Sequence, residues 1–277
     1  KSIQCPTDRK EVTLRVGIST ASFFNSIATE NCFATLKQMH VDTAEVLLNT
    51  FSEYEKPFVD ALVQRKDDIY VHSVQALAAQ FEPQLFNTNP RVRADAEAVF
   101  RKVCYAGAML GAKFYTFHGP TRLKRRNYTF DFAKFGETVN KLCEIAESYG
   151  LRLSYENVHW TYFNYPDFFK QLKKECPSLC GTLSLSQALK SGFDVYKFLD
   201  VMEDRVSTVH LCDTVKDDTL LPGKGKFNFE KLFRELDKRN VNVHIFIEVY
   251  SKDYKDTNEL KDSYDYIRKL LADVIQS

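Results

Sequence analysis

The stretch from Leu153 to Trp160 reads LSYENVHW, an apolar run that ends abruptly in a carboxylate, an amide and an imidazole. Leu151, Leu153 and Tyr155 alternate with Arg152 and Ser154, the period of a β-strand, and Glu156 and Asn157 fall where that strand would run out into a loop. A strand-end glutamate standing alone is ordinarily a solvated surface group. Here the pattern recurs along the chain. A second apolar run carries Glu45, a third His72 in YVHSVQ, a fourth His118 in FYTFHGP, a seventh His210 and Asp213 in VHLCDT, and an eighth Glu248 in HIFIEVY. Any one of these residues could be a satisfied core or surface group. Brought together they make a ring of imidazoles and carboxylates, the donor set that divalent metals select. Burying several carboxylates without a cation is expensive, so a divalent metal (Mn, Co, Mg, Fe or Zn) is the expected cofactor.

Such a ring needs elements that deliver it to one place. Strands are expected at Leu14 to Ser19, Thr43 to Leu48, Ile69 to Val74, Lys113 to His118, Leu151 to Glu156, Gly181 to Leu185, Val206 to Leu211 and His244 to Val249. Amphipathic segments separate them. The longest run from Arg91 to Leu110, Phe130 to Tyr149, Phe229 to Arg239 and Asn258 to Ile275, with shorter ones near Thr29 to Met39, Tyr54 to Arg65, Pro166 to Glu175 and Phe193 to Val201. Gly111 and Gly150, and Asn240 in the same role, stand where helix C-terminal residues belong. Alternation of this kind implies parallel strands joined by crossover helices, and eight units close naturally into a (β/α)8 TIM barrel. Polar groups at the carboxyl ends of barrel strands point into the mouth where ligands bind. No glycine-rich phosphate fingerprint follows the first strand, which counts against an open doubly wound sheet.

Length and composition agree with that reading. The 277 residues suit one α/β barrel spanning 1–277, and no linker or low-complexity tract marks a second domain. A net charge of +1 counts against a dedicated nucleic-acid binder. No apolar run approaches the roughly 18 to 20 residues a membrane span requires. The first residues, KSIQCPTDRK, contain no apolar segment of the signal-peptide kind, and the odd set of seven scattered cysteines suits reduced thiols. A cytoplasmic protein without nucleic-acid or membrane partners is expected. The basic run Arg122, Lys124, Arg125 and Arg126, with Lys224 and Lys226 of PGKGK, could hold a substrate phosphate or be a hydrated surface loop. Phe23, Phe24, Trp160, Tyr162 and Phe163 could wall the pocket or pack against neighbouring loops.

The ends LSYENVHW, TVHLCDT followed by LLPGKGKFNFEKL, and HIFIEVY resemble those of the xylose isomerase-like TIM barrels, the superfamily that joins sugar isomerases and epimerases to metal-dependent apurinic endonucleases. The resemblance covers essentially the whole chain. It implies that Glu156, His210 and Glu248 hold one divalent metal, and that Glu156 and Glu248 are also the acid/base pair. Substrate contacts are implied for His72, His118, Asn157, Gln187 and Lys216, with His118 a further metal ligand. The implied reaction is isomerisation or epimerisation of a sugar or sugar phosphate by proton transfer through an enediolate. Barrels of this family often pair, so a homodimer is the implied assembly.

The sixth strand departs from the family pattern. Where family members carry an aspartate and, three residues on, a histidine, GTLSLSQALKSG has Ser184 and Gln187. Serine is short and neutral and cannot replace an anionic oxygen ligand at the same distance. Three outcomes follow: a metal held by three protein ligands plus water, a metal shifted toward His72 and His118, or a site without metal and reaction. The last would make the protein a non-catalytic sugar-binding paralogue. An apurinic endonuclease is the more distant alternative, because the aspartate-x-histidine pair expected after the seventh strand is absent and Gln187 removes another ligand.

Overall fold

Short apolar strands separated by amphipathic helices pair in parallel, because a helix laid across a sheet returns the chain to the edge it left. In the computed structural model, which describes residues 14–122, 130–215, 218–241 and 243–276, this pairing runs full circle. The barrel strands are β1 (Val16–Ser19), β2 (Thr43–Leu48), β3 (Tyr70–Ala76), β4 (Phe114–Phe117), β5 (Arg152–Glu156), β6 (Cys180–Ser184) and β7 (Val206–Leu211), closed by β10 (His244–Ile247). They follow one another around the ring in chain order, and β10 pairs with both β7 and β1. Between β7 and β10 lies a small antiparallel hairpin, β8 (Asp213–Val215) with β9 (Asp218–Leu220). The protein is an α/β single-domain TIM barrel.

The helices α1 (Thr29–Gln38), α2 (Lys56–Lys66), α3 (Pro90–Leu110), α4 (Phe132–Ser148), α5 (Pro166–Glu175), α6 (Leu185–Lys190), α7 (Val195–Met202), α8 (Phe229–Lys238) and α9 (Thr257–Gln276) cover the outside. α8 shows how sequence fixes their seating. Asn228 caps its first turn by accepting from the Lys231 amide at 2.8 Å. Phe229, Leu232, Phe233 and Leu236 recur at helical spacing and are all buried against the barrel, each contributing roughly 1.5–3 kcal/mol of apolar burial. Gly111, Gly150 and Asn240 take positive φ just past α3, α4 and α8, as expected of helix C-terminal residues. No helix among the described residues is long and apolar enough to cross a membrane.

The barrel interior is unusually polar, and its layers are joined across the lumen. At the amino end His72 stacks on His244 with ring centres 4.4 Å apart and packs against Phe114 and Phe246. Above it runs a belt of hydroxyls: Ser154 is 2.7 Å from Thr182 and 2.6 Å from Ser207. Each of these groups is buried and has a partner, which is the condition for burying polar atoms at all. The acids and imidazoles of the mouth form the top layer.

One expectation about the strands is corrected. The third strand runs on to Ala76 rather than ending at Val74, and its register against β2 slips between Ala44 and Glu45. The extra residue of this bulge leaves His72 in the lower layer and brings Gln75 to the mouth. His72 Nε2 reaches across the barrel to the Ser207 carbonyl at 3.1 Å and the Thr208 hydroxyl at 3.2 Å, so it is not at the carboxyl end of its strand.

Candidate active site

His210, the fifth residue of the fully buried strand β7, stands at the centre of the mouth. Its Nε2 lies 2.9 Å from Glu45 Oε1, and its Nδ1 lies 3.5 Å from Glu156 Oε1 and 3.5 Å from Glu248 Oε1. None of these approaches has the alignment of a hydrogen bond, so both buried ring nitrogens lack a hydrogen-bond partner. Glu45, His210 and Glu248 each offer a donor atom within 4.8 Å of the others and form a candidate metal-binding cluster. The nitrogen and oxygen donors and the crowding of three carboxylates around one imidazole fit a divalent cation. Glu156 stands beside that trio, with its Oε2 2.9 Å from His118 Nε2.

The lower side of the cluster is held by neutral donors. Ser73 and Thr116 donate to Glu45 Oε2 at 2.6 and 2.7 Å, and Gln75 Nε2 lies 3.0 Å from Glu45 Oε1 and 2.9 Å from Glu248 Oε2. Gln75 therefore ties the deep carboxylate to the one that opens on solvent. The electrostatics follow from this crowding. Burial pulls Glu156 up, but the imidazoles of His210 and His118 outweigh it and hold its pKa well below the carboxylate range. Burial raises Glu248, and the Glu156 and Glu45 carboxylates reinforce that against the pull of His210. His118 is raised to about 9: burial opposes its charge, but the hydrogen bond to Glu156 and the charges of Glu156, Glu82 and Glu248 prevail.

A cavity of about 230 Å³ opens above this layer, with Gln75, His118, Glu156 and Glu248 among its lining residues and Leu77, Val158 and Val249 in its walls. Phe24 and Trp160 also line it, whereas Phe23 and Phe163 are fully buried in the core and Tyr162 packs on Phe130. Gln187 lines the cavity too, and its Oε1 accepts from the His159 amide at 3.2 Å and lies 2.6 Å from His159 Nδ1.

Two other residues expected at the mouth are committed to the scaffold. Both ends of the Asn157 amide are taken by the Ser184 backbone, Nδ2 to its carbonyl at 3.0 Å and Oδ1 from its N–H at 2.8 Å. Asn157 thus pins the end of β6 rather than meeting a ligand. Asp213 accepts from the amides of Gly223, Gly225 and Phe227 at 3.2, 2.9 and 3.0 Å and so folds the PGKGKF loop. A Cβ at Gly225 would stand 2.2 Å from Asp213 Oδ1, so no other residue fits there. Lys224 and Lys226 are exposed and do not line the cavity. Lys216, Lys124, Arg125, Arg126 and Cys5 lie outside the described residues, and the other six cysteines are buried free thiols. Ser184 is directly opposite His210 in the ladder, so the sixth strand borders the cluster.

Glu82, in the loop after β3, carries no strand signal and escapes a sequence reading. It is fully buried and accepts from the amides of His118 and Gly119 at 2.9 and 2.8 Å and from the Tyr115 hydroxyl at 2.9 Å. It fixes the backbone that carries His118. Gln75 and His159 were in view within YVHSVQ and LSYENVHW, but a neutral amide and a loop imidazole give no signal of a role until their partners are known.

Among solved structures, a D-tagatose 3-epimerase-like protein superposes with a TM-score of 0.77 at 18% identity, over 95% of this chain and 100% of its own. D-psicose 3-epimerase from Clostridium cellulolyticum H10, solved with D-tagatose, gives 0.74 at 15% identity over 93% and 99%. The IOLI protein with a bound zinc atom gives 0.73 at 15% identity over 95% and 98%. At these identities the likeness is one of fold. No curated protein matches the chain. The model of the family described as "Xylose isomerase-like TIM barrel" matches residues 33–270, and the chain belongs to that family.

Proposed function

We propose that the protein is a divalent-metal-dependent sugar isomerase or epimerase that moves a proton on the carbon next to a carbonyl. The observation that carries this reading is the placement of Glu156 and Glu248, which flank the same nitrogen of His210 and line the same cavity. Two carboxylates set around one bound carbon are what proton removal and return require. The epimerases among structures of the same fold support the same reading.

Glu248 and His210, with Glu45 or Glu156 completing the set, would hold the cation. When bound, it would polarise the substrate carbonyl and the neighbouring hydroxyl. One glutamate removes the carbon-bound proton, the C–H electron pair passes into the carbonyl to give an enediolate, and the other glutamate returns a proton. Delivery to the opposite face epimerises the carbon. His118, held by Glu156 and by the Glu82-anchored backbone, is placed to donate to a substrate oxygen. Gln75 keeps Glu248 turned toward the site.

The test is deuterium wash-in from D2O, with added divalent metal, across ketoses and ketose phosphates. Exchange at the carbon next to the carbonyl is expected, with a loss of about 10²–10⁴-fold in Glu248→Gln and Glu156→Gln. Metal binding without exchange on any of these substrates would mean that Ser184 and Gln187 mark a binding protein and not an enzyme.

A further inference from the structure

The loop that follows β5 is stitched to the start of α6 through two side-chain amides, Asn157 and Gln187. Asn157 takes both backbone groups of Ser184, the residue before the helix. Two residues on, His159 meets Gln187 in the first turn of α6, with its amide nitrogen 3.2 Å and its Nδ1 2.6 Å from Gln187 Oε1. The loop is held on its far side as well. Asn164 Nδ2 donates to the His159 carbonyl at 3.2 Å, and the Arg122 amide donates to the Trp160 carbonyl at 2.9 Å.

These contacts settle which way the Gln187 amide faces. A backbone N–H can only donate, so the amide of His159 requires the Gln187 oxygen to face it. An Nδ1 held 2.6 Å from that oxygen must then carry the ring proton, which fixes the tautomer of His159 too. With both donors of His159 on one oxygen, the Gln187 NH2 is the half left for the cavity that Gln187 lines, and among the described residues nothing accepts from it. Gln75, the other amide of the cavity, has its Nε2 committed to Ser19, Glu45 and Glu248.

We propose that Gln187 reads a substrate oxygen in this cavity, as a donor that cannot accept, and that His159 is the residue that positions it. His159 does not line the cavity and acts only through the Gln187 oxygen. The matching ligand group is a hydroxyl or carbonyl oxygen of a ketose. An amide held in this way cannot move a proton, so its contribution is to binding, and the transfer is left to Glu156 and Glu248. If Gln187 served only to hold the loop, its oxygen alone would matter. The inference takes its ligand class from the proposed function, but it holds equally for a site that binds a ketose without turning it over.

The test uses the full 15N-labelled chain loaded with Mg²⁺ and titrated with D-psicose, D-tagatose, D-ribulose and D-ribulose 5-phosphate. Trp160, the single tryptophan of the chain, lines the same cavity, so its indole N–H cross-peak reports occupancy. Gln187→Glu keeps an oxygen for His159 and removes only the donor. The Gln187 NH2 cross-peaks, identified by their loss in that variant, should shift with every ligand that shifts the indole. Affinity for such a ligand is expected to fall about tenfold in Gln187→Glu. His159→Asn retains a side-chain donor and should bind within about twofold of the native protein, whereas His159→Phe should bind at least about threefold more weakly, with Mg²⁺ affinity unchanged in both. An indole that shifts while the Gln187 NH2 stays in place, or native affinity in Gln187→Glu, would overturn the donor. Native affinity in His159→Phe would overturn the positioning role. An indole unmoved by all four ligands would overturn the donor and the proposed function together. The deuterium assay decides the proton transfer separately, so binding without exchange would remove the isomerase and leave the donor standing.

Discussion

The two ends of the barrel bury the same imidazole in opposite surroundings. At the amino end His72 and His244 stack on each other among phenylalanines, carbonyls and hydroxyls, and among the described residues no carboxylate forms a hydrogen bond or ion pair with them. Burial lowers the pKa of His72 to about 4 and, with the charges of His72 and Arg15, that of His244 to about 3. At the carboxyl end burial acts on His210 in the same direction, but Glu248, Glu45 and Glu156 drive its pKa far up. Depth is nearly equal, at 4% exposed for His72 and 2% for His210. What separates packing from chemistry here is unbalanced charge. The lower end is a neutral stack without crowded carboxylates, although His72 Nδ1 is buried without a hydrogen-bond partner, and the upper end concentrates carboxylates that a divalent cation would relieve.

The largest effect should come from removing the centre of the upper end. His210→Ala leaves three carboxylates facing one another, and its divalent-metal affinity by calorimetry is expected to fall by at least about a hundredfold. Unchanged affinity would show that the imidazole is as structural there as it is below.

The lower end should respond to acid instead. A histidine whose pKa falls on folding stays neutral in the fold while the unfolded chain takes up a proton. Stability is therefore complete above about pH 6.5 and is lost as the pH falls from 6.5 toward 4, by up to about 3 kcal/mol for His72. Acid titration of metal-free protein, followed by circular dichroism, checks the window. His244→Phe should move the unfolding midpoint down by roughly half a pH unit and leave metal affinity alone. A midpoint that rises instead would mean that the stacked pair is not held neutral.

The smallest effect sharpens the contrast at the sixth strand. Ser184 pairs with His210, so Ser184→Asp adds a carboxylate at the edge of the cluster and should tighten metal binding about tenfold. No change would place the cation on the Glu45 side of His210, away from β6.

The alternation of strands and helices was plain in the sequence, because apolar period and helix-ending residues are local signals. The strand-end positions of Glu156, His210 and Glu248 could be read from the same pattern. His72 could not, since a one-residue bulge between Ala44 and Glu45 moves it down a layer and no local feature announces the slip. Glu45 was visible as a strand acid, but its reach to His210 crosses the lumen from β2 to β7, a relation only the closed ring creates. Asn157 looked like a ligand-binding amide because its partner, the backbone of Ser184, is invisible to side-chain reasoning. Glu82 depends on a loop that meets the backbone of His118 and Gly119 only after folding.

Anomalous scattering from crystals soaked in Mn²⁺ tests the central claim most directly. A single strong peak within about 2.0–2.3 Å of a His210 nitrogen and a Glu248 oxygen is expected, with Glu45 or Glu156 supplying the next contact. A mouth free of anomalous signal at saturating Mn²⁺, with His210 hydrogen-bonded to its glutamates, would contradict it.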